Sequence, residues 1–261
     1  MKMALGIEYD GSTFSGWQRQ PHRATVQQVV ETALQRIAQQ PIKVVTAGRT
    51  DARVHALAQV VHFTTDTTRT LYSWVNGTNS YLPQGVRVIW ARVVPDDFDA
   101  RYSAISRSYR YIIYNHTVRP ALLAGRVSWY HRVLDVAKMQ QAAQYWLGEH
   151  DFSSMRAASC QSKSAVREIT ALKLTQDRRF IFIDVSANAF LQHMIRNMVG
   201  TLLPIGYGDK PVLWAKEILD AKNRSTAGAT ALPDGLYLRK VVYPDRYKIP
   251  PGDQEWLYEL V

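Results

Sequence analysis

Apolar residues recur along the chain with two periods, and the order in which the periods alternate predicts the architecture. After Thr25, the stretch VQQVVETALQRIAQQ places Val26, Val29, Val30, Ala33, Leu34, Ile37 and Ala38 within one arc at about 100° per residue, the mark of an amphipathic helix. Thr25 with Gln28 three later predicts a capping box at its start, and its Gln and Glu residues are expected to face water. Pro41 ends it. Met3–Glu8, the short β-branched run Ile42–Thr46, Ala56–Thr64 and Val86–Val94 read as strands, and a second helix is expected over Thr68–Ser80. The order strand, helix, strand, strand, helix, strand is the ferredoxin-like one, an antiparallel sheet with two helices on one face.

The same order returns, with insertions, in the second half. Strands are predicted at Arg107–Asn115, Val166–Thr175, Phe180–Ala187 and Leu236–Tyr243, and helices at Asp135–Leu147 (capped by the Asp), Phe190–Leu203 and Pro211–Lys222. No residue strings are shared between the halves. Pro95–Ser106 (PDDFDARYSAIS) breaks periodicity, so the chain is expected to be α+β with two ferredoxin-like halves around a central basic cleft: an N-terminal lobe, residues 1–100, and a C-terminal lobe, residues 101–261. The loop DGSTFSGWQRQPHR after the first strand is long enough to read as functional or mobile.

Charge narrows the partner. With 32 Lys and Arg against 22 Asp and Glu, the net charge is +10, which favours a polyanion through phosphate contacts and counterion release. Seven Trp and fourteen Tyr, many beside Arg as in RYSAISRSYRYIIYN, supply the flat faces and cations that hold unstacked bases. The single cysteine, Cys160, forbids an internal disulfide and a multi-Cys zinc site, and without a base partner it reads as inert. The N-terminus turns acidic too early for a signal peptide and no run of eighteen apolar residues exists, so a cytoplasmic protein with no membrane partner is expected.

The candidate chemistry centres on TAGRTDARVHALAQVVHF, Thr46–Phe63. Arg49 and Asp51 are two apart, so on extended backbone their side chains leave from one side. A carboxylate beside a guanidinium stays ionised, which suits a nucleophile better than a general acid. The same spacing also describes a solvated loop ion pair. In RSYRYIIYN, Arg107, Tyr109, Tyr111 and Ile113 share one strand face. In FLQHMIRNMVG, Gln192, His193, Arg196, Asn197 and Gly200 form a polar stripe that faces either a cleft or water.

The string AGRTDARVHA resembles the active-site motif of the TruA family, the transfer-RNA pseudouridine synthases of the anticodon stem-loop. RSYRY, NAFLQHMIRNMVG, ASCQSK, AVREI, GLYL and YPDRY resemble further stretches of that family in the right order. The resemblance implies an isomerase that converts uridine to pseudouridine without cofactor or metal, with tRNA as partner and a homodimer as its working state. It makes Asp51 the catalytic residue, Arg196 its guanidinium partner and Tyr109 the residue that stacks on the uracil. It places Arg49 in the space left by the extruded base, and it implies RNA contacts from Arg69, the connector Phe98, Asp99, Ala100, Arg101 and Tyr102, and the loop Ser159, Cys160, Gln161, Ser162 and Lys163. Where the family has Gly after Asp-Ala, this chain has Arg53. Gly permits positive φ and close backbone approach and Arg is expected to do neither, so Arg53 either adds a phosphate contact or crowds the pocket. Two other readings are a non-catalytic tRNA-binding protein of the same fold and a glycoside-cleaving enzyme pairing Asp51 with Glu8, Asp10 or Asp151.

Overall fold

The computed structural model describes residues 1–251, and these divide into two compact units. The first comprises Met1–Arg107 together with the chain from Tyr237 onward, and the second comprises Ser108–Leu236. The closing strand pairs with the third strand of the first unit and so returns the chain there.

In the first unit the strands are β1 (Lys2–Tyr9), β2 (Val45–Thr46), β3 (His55–Thr64), β4 (Val86–Val94) and β10 (Leu236–Val242), in the order β4-β1-β3-β10. β1 runs antiparallel to both β3 and β4. One edge of β3 is shared: β2 pairs antiparallel with Val61 and His62, and β10 pairs parallel with His55 and Ala56. β3 is buried from His55 to Phe63, so its polar members His55, Gln59 and His62 must find partners inside the protein.

Helix α1 (Val26–Ala38) turns Val26, Val30, Ala33, Leu34 and Ala38 inward as its period requires. Its first turn departs from expectation. Thr25 makes no side-chain cap, and its buried hydroxyl has no hydrogen-bond partner. Glu31, expected in water, is buried, because its carboxylate serves three donors: Val44 N–H at 3.0 Å, the Gln27 amide at 3.0 Å and the Arg19 guanidinium at 2.5 Å. The expected helix over Thr68–Ser80 is shorter. It begins after Thr70, whose hydroxyl accepts from Ser73 N–H, and winds as a π-helix over Ser73–Gly77, which turns Trp74 inward against Phe63. Gly77 lies close to α1 there, where a Cβ would stand 2.9 Å from Ile37 Cδ1 and the end of that side chain would have to shift.

The second unit orders its strands β5-β9-β8-β7, where β5 is Ser106–Asn115, β7 Gly148–Asp151, β8 Val166–Asp177 and β9 Phe180–Ala187. The short β6 (Ser128–Tyr130) lies parallel to β5; it and β7 were not foreseen. The helices are α2 (Val136–Ala143), α3 (Met194–Gly206) and α4 (Trp214–Ala221). Asp135 caps α2 as expected, accepting from Lys138 N–H at 3.0 Å. Among the described residues no helix is long and apolar enough to cross a membrane.

Candidate active site

Asp51 sits at the head of a four-residue turn, Asp51–Val54, closed by Val54 N–H donating to Asp51 C=O at 3.2 Å. Arg53, third in that turn, has φ +67°. Positive φ at this position is the type II pattern, which favours Gly. Arg53 therefore adopts the conformation that the residue type disfavours, correcting the expectation that arginine would refuse it, and both Ala52 and Arg53 face solvent.

Backbone and buried polar groups hold this turn from several sides. The loop Gly11–Trp17 lies against it: Arg53 N–H donates to Phe14 C=O at 3.1 Å and Trp17 N–H to Thr50 C=O at 3.0 Å. Two glycines allow that approach. A Cβ on Gly11 would stand 2.0 Å from Val54 O, and one on Gly16 (φ +92°) would stand 2.8 Å from Thr50 O and 3.0 Å from Asp51 C. On the other side, Gln59, fully buried in β3, donates to Gly48 C=O at 2.7 Å, and Arg107 donates to Ala47 C=O at 3.1 Å. The Thr50 hydroxyl bonds the Tyr9 phenol at 2.8 Å, and burial pushes the Tyr9 pKa up to about 12, so the phenol stays protonated. Asp51 is half-buried and Arg49 exposed. Tyr9, Gly11, Gly16, Gln59 and Arg107 escaped the sequence reading as site residues. A polar side chain amid the apolar run of β3 was the one signal that could have found Gln59.

Beneath the turn, His55 is buried and stacks on Tyr237 with ring centroids 4.5 Å apart. Its Nδ1 lies 3.0 Å from Gly11 N and 3.2 Å from Asp10 Oδ1. The bond to His55, opposed by partial burial, holds the Asp10 carboxyl well below the usual carboxylate range.

The connector divides into two groups. Phe98 is 0% exposed, ringed by His62, Tyr243 and Tyr247 at centroid distances of 5.9, 5.1 and 5.1 Å, and Ala100 is buried beside it. Their side chains are core, because Ala100 N–H donates to His62 Nδ1 at 2.9 Å and Ala100 C=O accepts from the Tyr243 hydroxyl at 2.6 Å. The Asp99 carboxylate accepts from the N–H groups of Arg101 and Tyr102 and so fixes those two, which are exposed; Tyr102 is 78% so, with the Arg101 guanidinium over its ring. Arg69 is exposed ahead of the π-helical segment.

In the second unit Tyr109 is 8% exposed and meets Phe190 edge to face at 5.1 Å. Its neighbour Arg110 is buried and pairs in two-point fashion with Asp184 (2.8 and 2.7 Å), which makes it structural. Arg196 stands in the first turn of α3 and is clamped to the segment before β10. Its Nε donates to Ala231 C=O at 2.8 Å, while Ala231 N–H returns a bond to Arg196 C=O at 3.0 Å. Of the expected polar stripe, Arg196, Asn197 and Gly200 face that segment, whereas α3 starts only at Met194 and Gln192 ahead of it accepts from the Ser159 hydroxyl. Asn197 accepts from Arg224 and Thr230, and Gly200 lets the backbone come so near that a Cβ would meet Ala229 O at 1.7 Å.

The loop Ser159–Lys163 is shaped by Arg156, whose guanidinium donates to the C=O groups of Cys160 (2.7 Å) and Ser162 (2.8 Å). Ser159, Gln161 and Lys163 are exposed, and the hydroxyl of Ser162 accepts from Arg167 at 2.7 Å. Burial pushes the Cys160 thiol up. Backbone N–H groups of Ser162 and Gln192 and the Arg156 charge outweigh that and hold its pKa below the ordinary value.

A family model described as tRNA pseudouridine synthase matches residues 6–103 and 142–244. Proteins named tRNA pseudouridine synthase A are similar over nearly the whole chain. The one from Nitrosococcus oceani is 53% identical over 250 residues, covering 96% of this chain and 96% of that protein. The one from Pseudomonas aeruginosa is 51% identical, covering 95% of this chain and 88% of its own. Among solved structures, one titled "Crystal Structure of a Cbf5-Nop10-Gar1 Complex" is 12% identical, with a TM-score of 0.37 over 77% of this chain and 45% of that one, a likeness too slight to carry an argument.

Proposed function

The chain belongs to the family of tRNA pseudouridine synthases, and on that premise we propose that it isomerises uridines of the tRNA anticodon stem-loop with Asp51 as nucleophile. The N1–C1′ bond breaks, the uracil turns, and a C5–C1′ bond forms. The C5 proton leaves and N1 gains one, so nothing is oxidised and no co-reactant is consumed. Asp51 engages the substrate covalently, at C6 of the base or at C1′ of the ribose. The observation that carries this reading is the Asp51 turn itself, a carboxylate at the family's motif position, half-buried and braced by hydrogen bonds and two close-packed glycines. Such bracing is what orientation of a nucleophile requires. The turn closes with Arg53 in place, which supports this reading over that of a non-catalytic protein of the same fold.

The second unit's roles in this proposal follow the motif matches. Arg196 neutralises and orients the carboxylate, and Tyr109 stacks on the uracil. Arg49 fills the space of the extruded base, a step forced by the stacking of the target in an RNA stem. Arg69, Asp99, Arg101, Tyr102 and the Ser159–Lys163 loop grip the RNA, whereas Phe98 and Ala100 serve by holding the connector in shape. The working species is proposed to be a cytoplasmic homodimer, which light scattering on the purified protein tests for its size.

The deciding experiment incubates the protein with unmodified tRNA and maps pseudouridine by chemical labelling. Product is expected from the wild type, and none from Asp51→Asn, with tRNA binding largely retained. Full activity in that variant would end the assignment.

A further inference from the structure

Arg196 is oriented by a main-chain oxygen, and that oxygen belongs to a stretch without regular structure. Its Nε donates to Ala231 C=O at 2.8 Å, and Ala231 N–H donates to Arg196 C=O at 3.0 Å. With Nε committed, a two-point pair with a carboxylate runs through Nη1 and Nη2, and the direction of that fork follows from where Ala231 stands. Residues 227–235, between the short helical turn Arg224–Thr226 and β10, form neither helix nor strand. Ala231 is therefore only as well placed as the bonds that tie its neighbours to α3.

Those bonds converge on one buried side chain. Asn197, the residue after Arg196 in α3, is 0% exposed. Its Nδ2 donates to Met155 C=O at 2.8 Å, and its Oδ1 accepts from the Thr230 hydroxyl at 2.7 Å and from Arg224 Nη2 at 3.0 Å. Arg224 Nη2 also donates to the Thr230 hydroxyl at 3.0 Å, which closes a ring of three side chains at the residue before Ala231. One turn further along α3, the Thr201 hydroxyl accepts from Gly228 N–H at 3.2 Å, and a Cβ on Gly228 would stand 2.1 Å from Gly200 O. We propose that Thr230 and Arg224 are positioning residues for the reaction: through Asn197 they fix the Ala231 carbonyl and thereby aim the Arg196 guanidinium. All of these groups lie in the second unit. The inference rests on the role given above to Arg196 and deepens it. A group held by a second layer of bonds keeps the alignment that a charge partner of a nucleophile requires.

The test compares Thr230→Val, which keeps the shape and removes the hydroxyl, with Thr230→Ser, which keeps the hydroxyl. It adds Arg224→Met and, as control, Asp135→Ala, which uncaps α2 and costs stability without reaching Arg196. Single-turnover pseudouridine formation gives the rate of the chemical step, and filter binding gives the affinity for tRNA. NMR of the arginine side chains, with the Arg196 signal identified by its loss in Arg196→Lys, gives the exchange of its Nε–H with water. Thr230→Val and Arg224→Met are expected to lose about fivefold or more in rate, the scale of one hydrogen bond, with tRNA affinity kept and the Nε–H exchanging faster. Thr230→Ser restores both readings, and Asp135→Ala alters neither although it melts earlier. An unchanged rate or an unchanged Nε–H exchange in both Thr230→Val and Arg224→Met would overturn the inference. So would an equal loss in Thr230→Ser, or a loss confined to tRNA affinity, which would make Arg224 an RNA contact. Absence of pseudouridine with the wild type would instead overturn the proposed function, and the Nε–H exchange would still report whether Thr230 and Arg224 fix Arg196.

Discussion

Gly16 is the place where the loop after β1 can be made to push the Asp51 turn without touching any group proposed to react. In Gly16→Ala the added Cβ meets Thr50 O at 2.8 Å and Asp51 C at 3.0 Å, and ordinary contact begins at 3.4 Å, so the turn must retreat by 0.6 Å (3.4 less 2.8) on the Thr50 side. The backbone adds its own cost, because φ +92° is a left-handed conformation that an L side chain resists by about 1–2 kcal/mol. Gly208 separates the two effects. Its φ is +86°, yet a Cβ there meets nothing within 4 Å, so Gly208→Ala carries the backbone cost alone. The steric part, about 1–3 kcal/mol, is then the difference between the two variants, which is roughly 3–9 °C in melting temperature at about 3 °C per kcal/mol. The function should separate as well. Displacement of a nucleophile by about 1 Å costs on the order of a hundredfold in rate, so Gly16→Ala should lose about tenfold or more in kcat on tRNA while Gly208→Ala loses none. Calorimetric melting with single-turnover pseudouridine formation measures both. Equal stability of the two variants, with full kcat in Gly16→Ala, would refute the idea that the Gly11–Trp17 loop sets the position of Asp51.

Removing the carboxylate partner of a buried guanidinium in Asp184→Ala should cost about 3 kcal/mol in chemical unfolding, because Arg110 is left uncompensated in the interior; a loss under about 1 kcal/mol would show that water replaces the carboxylate. Glu31→Gln replaces an acceptor of three donors by a group with one acceptor oxygen and should cost about 1–3 kcal/mol, read in the same way. Burial is the main cause that lowers the His62 pKa, so the folded state binds its proton less readily than the unfolded chain. Stability from this group is complete above the ordinary histidine value of about 6.5 and is lost as pH falls through the lower folded value. Asp10, held below its ordinary value, adds a loss of the same sign that sets in below about pH 4. The melting temperature should therefore decline on acidification below neutrality, and His62→Gln should flatten the part that begins below about pH 6.5; an unaltered slope would mean that other groups carry it.

The elements that were legible in the sequence are those whose burial follows their own period. β4 and β9 run over the expected Val86–Val94 and Phe180–Ala187, and α1 turns its apolar arc inward. What was not legible depends on partners far along the chain. Glu31 reads as a surface residue of α1 until Val44 and Arg19 arrive to bond it. Thr25 has the identity of a cap without the geometry. β7 and β6 are too short to show a period, and nothing in LYLRKVV says which strands it will join. The same limit applies to the site. Asp51 is visible because its neighbours form a charged, recognisable string, and Phe98 is visible only as an aromatic in a connector. Its burial depends on Tyr243 and Tyr247, which lie well over a hundred residues later.

The distribution of hydrogen bonds around Asp51 explains why the motif extends beyond the aspartate. Residues 47–54 make few strand-type bonds of their own, and their carbonyls are taken instead by Gln59, Arg107 and Trp17 N–H, with Thr50 held through its hydroxyl by Tyr9. Each of these donors comes from an element fixed in the sheet or packed on it, so the turn inherits its rigidity from β1, β3 and the head of β5. A loop in which Asp51 was placed only by its own backbone would sample many orientations and lose the advantage of alignment. The position of the proposed nucleophile is therefore set as much by Tyr9, Gly16 and Gln59 as by Asp51's own neighbours, and substitutions at these three should lower kcat while leaving the affinity for tRNA nearly intact.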